Sequence, residues 1–196
     1  LLSCQKCKDI FENDPRPVFQ GNRDSVIMQI SQAPSQKVME TGKPFNDASG
    51  RKLLKDWYQI TREEFDNPQY FYITSVGRCY PGKAKTTGDI PPPTHCADYF
   101  LKKELNIIEP QIYIFHLRFP SFETVNTQKR TAAKYLFPNE TLESLIFNDH
   151  IFQGRPLYVL PHPSPLNRKW LKDHPQFEQD RMPQIRTIIH KYIEKE

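Results

Sequence analysis

The sequence has little glycine and no long hydrophobic run. Its 196 residues include 7 Gly against 18 Pro, although glycine is usually the commoner of the two. Proline-rich loops are stiff, and 12% aromatic residues are enough to indicate a folded core. No apolar stretch approaches the roughly 20 residues that a membrane-spanning helix needs, which excludes a transmembrane role for this stretch. The length predicts a single domain over residues 1–196.

Several catalytic signatures are also missing from the sequence. It has no GxxxxGK[ST] phosphate-binding loop, no HExxH zinc motif and no GxSxG nucleophile motif. A net charge of +4 permits a polyanionic partner such as DNA but does not argue for one. Because no signal segment is evident, we expect a cytoplasmic protein, monomeric by default, whose first residues are missing because the chain begins with Leu1.

Short β-branched or aromatic runs alternate with longer helical ones. Strands are predicted over residues 25–30, 70–76, 111–116 and 157–160. Helices are predicted over residues 50–59, 94–106, 121–136, 139–148 and 179–195. This alternation predicts an α/β fold, a three-layer α/β/α sandwich with a central, mostly parallel four-stranded sheet.

Three side chains of the kinds used in catalysis and ligand binding follow the predicted strands. Asp47 and Phe45 follow the first strand, and His162 lies in the proline-rich loop after the fourth. Because sites in parallel sheets form beyond the carboxyl ends of the strands, we expect these side chains to converge. A carboxylate can activate water and an imidazole can stabilise a leaving anion. Taken singly, each has a structural interpretation: a helix cap, a core aromatic and a turn histidine.

The four cysteines indicate a metal site. Cys4 and Cys7 form a C-x2-C motif, and sixteen residues separate Cys79 from Cys96. Four thiolates suit either Zn or an iron–sulfur cluster, and counting does not decide between them. The alternative is four structural thiols without a metal.

Two sequence motifs and the cysteine pattern carry a family resemblance. Residues 31–35 read SQAPS, similar to a G-[EQ]-[AG]-P-G loop, and residues 162–166 read HPSPL, identical to a second motif. Residues 41–45, TGKPF, stand at the matching distance from the first motif. In these features the chain resembles the uracil-DNA glycosylase superfamily, particularly the bacterial and archaeal branches (family 4/5-like) with a [4Fe–4S] cluster.

The resemblance implies a DNA-repair enzyme that hydrolyses the N-glycosidic bond of uracil, or of a related deaminated base, in DNA. Asp47 would position the attacking water or stabilise the sugar cation, and His162 would donate a hydrogen bond to the departing base. Phe45 would stack on the flipped base, and backbone N–H groups near Gln32 and Ala33 would complete the pocket.

The same resemblance implies where DNA and the cluster are held. Leu166 would fill the gap left by the flipped base, and residues 91–93, three prolines, would press on the strand or simply form a rigid connection. The residues expected near phosphates are Ser164, Asn167 and Arg168. The expected cluster ligands are Cys4, Cys7, Cys79 and Cys96.

Three features depart from the family pattern. Gln32 replaces a frequent Glu, Ser31 and Ser35 replace glycines, and Ser75 stands where relatives have an Asn that reads uracil. These departures leave three alternatives open. One is activity on another deaminated base, another is a catalytically silent DNA-binding protein with the same fold and an Fe–S or Zn site, and the third is an unrelated Zn-stabilised α/β protein.

Overall fold

A five-stranded sheet forms the centre of the computed structural model, which describes residues 3–85, 88–117, 137 and 139–194. Its strands are β1 (Ile27–Ser31), β2 (Phe71–Ser75), β3 (Ile112–Leu117), β4 (His150–Phe152) and β5 (Arg155–Pro161). They lie in the order β2-β1-β3-β5-β4; β4 pairs antiparallel with β5, and the other pairs are parallel. The predicted mostly parallel α/β sheet is confirmed, and β4 adds an edge strand beyond the four expected.

Helices connect the strands. They are α1 (Gln36–Thr41), α2 (Ala48–Arg51, continued by the π-helical Lys52–Tyr58), α3 (Arg62–Asp66), α4 (Thr94–Cys96, Ala97–Leu101 and Lys102–Ile107 in one run), α5 (Leu142–Phe147), α6 (Arg168–Asp173) and α7 (Phe177–Arg181, continued by Met182–Ile193). Four predicted helices correspond to α2, α4, α5 and α7. The helix predicted over 121–136 lies outside the described residues. Among the described helices, none is long and apolar enough to cross a membrane.

The connections place helices on both faces of the sheet. The chain moves in one direction along the sheet from β1 to β2 and in the other from β2 to β3, so right-handed crossovers put α1–α3 and α4 on opposite faces. Helix α7 joins the α2 side, where Trp57 Nε1 donates to Glu178 Oε1 at 2.7 Å and Arg186 Nε donates to the Trp57 carbonyl at 2.7 Å. The result is the expected α/β/α sandwich.

The central strands are buried along their length. The side chains of Ile30, Phe115 and Leu160 are fully buried near the ends of β1, β3 and β5. These apolar residues fill the space between the sheet and its helices. The loops beyond the carboxyl ends of the parallel strands therefore carry the polar groups, and the site lies there.

A candidate active site at the carboxyl edge of the sheet

A cleft of about 270 Å³ lies at the carboxyl edge of the sheet. Its walls come from the loops after β1, β2 and β5, and the side chains expected to converge lie on the first and last of these loops. Asp47, Phe45 and His162 all line it. The cleft is at the small end of ligand-binding pockets, which suits a small planar group.

Asp47 is held by two hydrogen bonds. It is the N-cap of α2, where Oδ1 accepts from the Gly50 backbone N–H at 3.0 Å. Its other carboxylate oxygen, Oδ2, accepts from the Ser35 hydroxyl at 2.7 Å. The structural interpretation of Asp47 as a helix cap is therefore correct, and the same carboxylate also lines the cleft. Both oxygens are restrained, which fixes the orientation of the carboxylate.

Phe45 lies in a backbone conformation that bulky residues rarely adopt, with φ of 53°. Such a residue costs on the order of 1–3 kcal/mol and persists only where its surroundings hold it. Arg62 donates to the Pro44 carbonyl at 3.1 Å and to the Phe45 carbonyl at 3.4 Å. A Cβ at Gly50 would lie 1.6 Å from the Phe45 carbonyl oxygen, so only glycine fits there. These contacts fix the position of the aromatic ring at the cleft.

His162 presents a defined tautomer. The backbone N–H of Ser164 donates to its Nδ1 at 3.2 Å, so in the neutral ring Nε2 carries the proton. Its ring lies 6.3 Å from that of Phe45, nearly parallel at 24°. The half-buried imidazole is thus a hydrogen-bond donor next to the aromatic plate.

His116 on β3 lies against both of these rings. Its ring centre is 5.4 Å from that of Phe45 and 6.3 Å from that of His162. Complete burial and the nearby His162 lower the pKa of His116 to about 3. His116 is therefore neutral at neutral pH and acts as a packing group beneath the site.

The floor of the cleft comes from the ends of β1 and β2. Gln32 and Ala33 line it and are half-buried, and the Gln32 carbonyl accepts from the Gly77 N–H at 2.9 Å. Ser75 also lines the cleft, but its hydroxyl donates to the Gly77 carbonyl at 2.6 Å. The Ser31 hydroxyl contacts the Thr74 carbonyl at 3.4 Å, within the sheet. Neither Ser31 nor Ser75 therefore directs its hydroxyl proton toward a ligand.

The residues of the loop after β5 have two kinds of position: some lie at the mouth of the cleft, and one is buried and supports the loop. Leu166 is 58% exposed and lines the cleft, Ser164 lines it half-buried, and Arg168 is exposed. Asn167 is instead only 3% exposed, and its side-chain amide donates to the His162 carbonyl at 2.7 Å. Asn167 thus holds the histidine loop in place from inside the protein.

The opposite wall is a hairpin-like loop after β2. Lys83 and Asp89 pair across it through a backbone bridge and an ion pair of 2.9 Å. Ile90, 40% exposed, follows at the mouth of the cleft. In the adjoining proline run, Pro92 packs on Gly77, where a Cβ would lie 2.3 Å from it. The Lys83–Asp89 pair and the contact of Pro92 with Gly77 therefore hold the described part of this wall.

The four cysteines line a second, smaller pocket beside this loop. All four are free thiols, and Cys79 has a pKa raised to about 12 by burial and by the other three cysteines. In the described part of the chain, no three His, Cys, Asp or Glu side chains surround a common metal position. The donor set nevertheless fits a four-thiolate centre, because the four cysteines line one pocket and a metal deprotonates the thiols that coordinate it.

Sequence reasoning missed the residues that hold the site together. Ser35 was noted as a departure from a glycine pattern, but its hydroxyl bonds Asp47 twelve residues later. Arg62 gave no sequence signal, because its partners are backbone carbonyls of residues 44 and 45. Asn167 was expected near phosphates and lies inside the loop. A cap pattern at Ser35 was the one local signal available.

Known proteins match most of the chain. Residues 18–186 match the family described as the Uracil DNA glycosylase superfamily. One similar protein is the "Type-4 uracil-DNA glycosylase" of Thermotoga maritima, 25% identical over 114 residues, which cover 58% of this chain and 56% of that protein. The chain thus matches little more than half the length of this relative, whose name supports a family 4-like branch. The family match covers every residue that lines the cleft, from Val18 to Leu166, and the chain belongs to the uracil DNA glycosylase superfamily.

Proposed function

We propose that this protein is a monofunctional DNA glycosylase that hydrolyses the N-glycosidic bond of uracil, or of a related deaminated base, and leaves an abasic site. One observation carries the proposal: a restrained carboxylate, Asp47, and an imidazole donor, His162, share a cleft with the aromatic ring of Phe45. Membership of the superfamily supports the same chemistry.

The cleft binds a base that has left the DNA stack. Flipping a nucleotide costs a few kcal/mol, and less for a mispaired or single-stranded base. Stacking on Phe45 contributes roughly 1–3 kcal/mol of binding free energy and tolerates different bases. Backbone groups near Gln32 and Ala33 contact the base edge. Ser75 lines the same cleft, and because its hydroxyl proton is engaged by the Gly77 carbonyl, its oxygen accepts from the base rather than donating to it, which is compatible with uracil or another deaminated base.

The chemical step uses the two polar groups. Water adds to the sugar C1′ while the C1′–N bond breaks and the bonding electrons leave with the base. The Nε2–H of His162 donates to the base oxygen where negative charge develops, an interaction worth about 3–4 kcal/mol in comparable sites. The carboxylate of Asp47 orients the water and accepts its proton or stabilises the sugar cation.

DNA is the proposed partner. Leu166 is exposed at the mouth of the cleft and fills the gap in the stack. Arg168 and Ser164 follow the same wall and contact phosphates, while Asn167 supports the loop. A single domain, a monomeric state and a cytoplasmic location remain predictions.

The four cysteines are the proposed ligands of a [4Fe–4S] cluster, with Zn as the alternative. Either would join the N-terminal segment carrying Cys4 and Cys7 to the loops carrying Cys79 and Cys96. The cluster's role there is structural, because it stiffens a wall next to the DNA-facing cleft. Metal analysis distinguishes the two: iron with acid-labile sulfide supports the cluster, and equimolar zinc without either excludes it.

Base release from a labelled oligonucleotide tests the function. The substrate carries one uracil, either single-stranded or opposite guanine, and the wild type is compared with His162→Gln. Removing one preorganised donor is expected to slow release about 100- to 1,000-fold. His150→Gln is the matched control, because His150 contacts the Leu145 carbonyl and does not line the cleft.

The outcomes separate the alternatives. Release by the wild type that falls in His162→Gln and persists in His150→Gln supports the proposal. Release of hypoxanthine or xanthine, but not of uracil, would assign the activity to another deaminated base within the proposed class. DNA binding without release of any base contradicts the proposal and favours the silent DNA-binding protein.

A further inference from the structure

Arg78 is the least satisfied buried cation in the described chain. Its side chain is 1% exposed, and among the described residues only Nη2 has a hydrogen-bond partner, Glu104 Oε2 at 2.6 Å. Its Nε and Nη1 groups have no hydrogen-bond acceptor among the described residues. Leaving a buried N–H unpaired costs about 1–3 kcal/mol, more for a charged group. Such a group in a native protein calls for an explanation.

The position of Arg78 supplies one. It immediately precedes Cys79 and lines the pocket that the four cysteines share. Its backbone N–H donates to the Cys96 sulfur at 3.4 Å. Arg78 therefore lies beside two of the four cysteines, next to Cys79 in the chain and hydrogen-bonded through its backbone to Cys96.

The charge of a metal centre here matches this arrangement. Four thiolates around a Zn²⁺ ion or a [4Fe–4S]²⁺ core leave a net charge of about −2 in a pocket with little access to water. An anionic sulfur centre of this kind is stabilised by nearby positive charge and by N–H donors. A planar guanidinium supplies both.

Glu104 and Thr74 hold the guanidinium in place. Glu104 Oε2 accepts from Arg78 Nη2 and also from the Thr74 hydroxyl at 2.9 Å. With Nη2 engaged on that side, Nε and Nη1 are the donors that remain for other acceptors. Thr74 lines the cleft, so this chain of hydrogen bonds runs from the cleft to the cysteine pocket.

We propose that Arg78 is a positioning residue for the four-cysteine centre: its buried guanidinium offsets the negative charge of the centre, and Nε–H and Nη1–H, which bond none of the described groups, are the donors available to it. The inference rests on the metal centre of the proposed function. The ion pair with Glu104 engages only Nη2 of Arg78, and the proposed role accounts for the burial of the other two guanidinium nitrogens.

The rate of metal loss to a chelator tests this role. Protein is purified anaerobically from iron-supplemented cells, and iron, acid-labile sulfide and zinc are measured per chain. The double variant R78Q/E104Q removes both members of the pair and so leaves no unpaired buried charge. Loss of an outer-shell partner is expected to speed metal release about 10- to 100-fold. E104Q, which keeps the Arg78 charge, is expected to stay within about twofold of the wild type.

Arg181 provides the matched control. It is the other buried arginine among the described residues, but it donates to the carbonyls of Ile146 and Asn148 and pairs with Asp149. Arg181→Gln is expected to lower the unfolding temperature without changing the rate of metal release. If R78Q/E104Q does not fold, Arg78→Lys replaces it and is expected to release metal several-fold faster than the wild type.

Three results would overturn the proposal. They are wild-type release rates in R78Q/E104Q or in Arg78→Lys, equal acceleration in E104Q or Arg181→Gln, and a wild type that carries no metal. Uracil release is measured on the same preparations. Active protein with unchanged metal release refutes the role of Arg78 alone, whereas inactive protein refutes the proposed function.

Discussion

Replacing Ser35 with Ala tests how Asp47 is held. The substitution removes the donor to Asp47 Oδ2, while Gly50 N–H still bonds Oδ1, so the carboxylate gains freedom to rotate. A hydrogen bond to a charged group contributes about 1.5–3 kcal/mol. If that restraint acts in the transition state, release of uracil slows by about 10- to 100-fold, since 1.4 kcal/mol is tenfold in rate.

The assay is single-turnover uracil release together with affinity for the same oligonucleotide. Because Ser35 bonds Asp47 rather than DNA, the rate is expected to fall while the affinity changes little. Ser35→Thr retains the hydroxyl and is expected to restore the rate. Ser35 also caps α1 through a long 3.4 Å contact with Val38 N–H, and losing that cap lowers stability by about 1 kcal/mol beyond the loss of the bond to Asp47.

Thr141→Ala is the control for lost capping. Thr141 caps α5 through Ser144 N–H at 3.0 Å and does not line the cleft. It is expected to lower stability comparably with no change in release. A wild-type rate in Ser35→Ala, or an equal loss in Thr141→Ala, would refute the reasoning.

Three further predictions concern other parts of the protein. Folding lowers the pKa of His116 to about 3, so the unfolded chain takes up the proton first as pH falls below about 6.5. Between pH 7 and pH 5 the unfolding free energy of the wild type is therefore expected to drop by about 2 kcal/mol more than that of His116→Leu. Urea denaturation at the two pH values measures this difference. Leu166→Ala is expected to slow release from duplex DNA about tenfold and from single strands much less, because only a duplex leaves a gap to fill. Ile151→Ala, equally apolar and exposed on β4, is the control. Equal loss on both substrates would contradict the role of Leu166 in filling the gap. Cys4→Ser is expected to lower metal content and the unfolding temperature together, and lost metal with unchanged melting would argue against a structural centre.

Hydrophobic patterning was sufficient to predict the main strands and longer helices. The strands β1, β2, β3 and β5 are buried, which concentrates β-branched and aromatic residues in short runs. Strand β4 has three residues with no buried side chain, a run too short to be predicted as a strand. Helices α1, α3 and α6, each of five or six residues, were missed, whereas α5, of six, fell within the longer run predicted over 139–148. The capping box of Thr61 and Glu64 was a readable signal for α3.

The topology was sufficient to predict that the site residues converge, but not which residues hold them in place. Parallel strands end at one edge, so the loops carrying Asp47 and His162 had to meet there. The partners that fix these residues are set by tertiary structure: a hydroxyl twelve residues before Asp47, and the amide of Asn167 folded back on the His162 carbonyl. Likewise, only the folded chain shows that the Arg78 guanidinium is buried with two N–H groups unpaired.

The most direct test of the central claim is uracil release by Asp47→Asn. Asparagine caps a helix as well as aspartate does, so its side-chain oxygen keeps the bond to Gly50 and the fold is preserved. The account predicts that release falls by about 100- to 10,000-fold while affinity for DNA with an abasic-site analogue is retained. Wild-type release by Asp47→Asn would show that this carboxylate takes no part in the chemistry and would contradict the account.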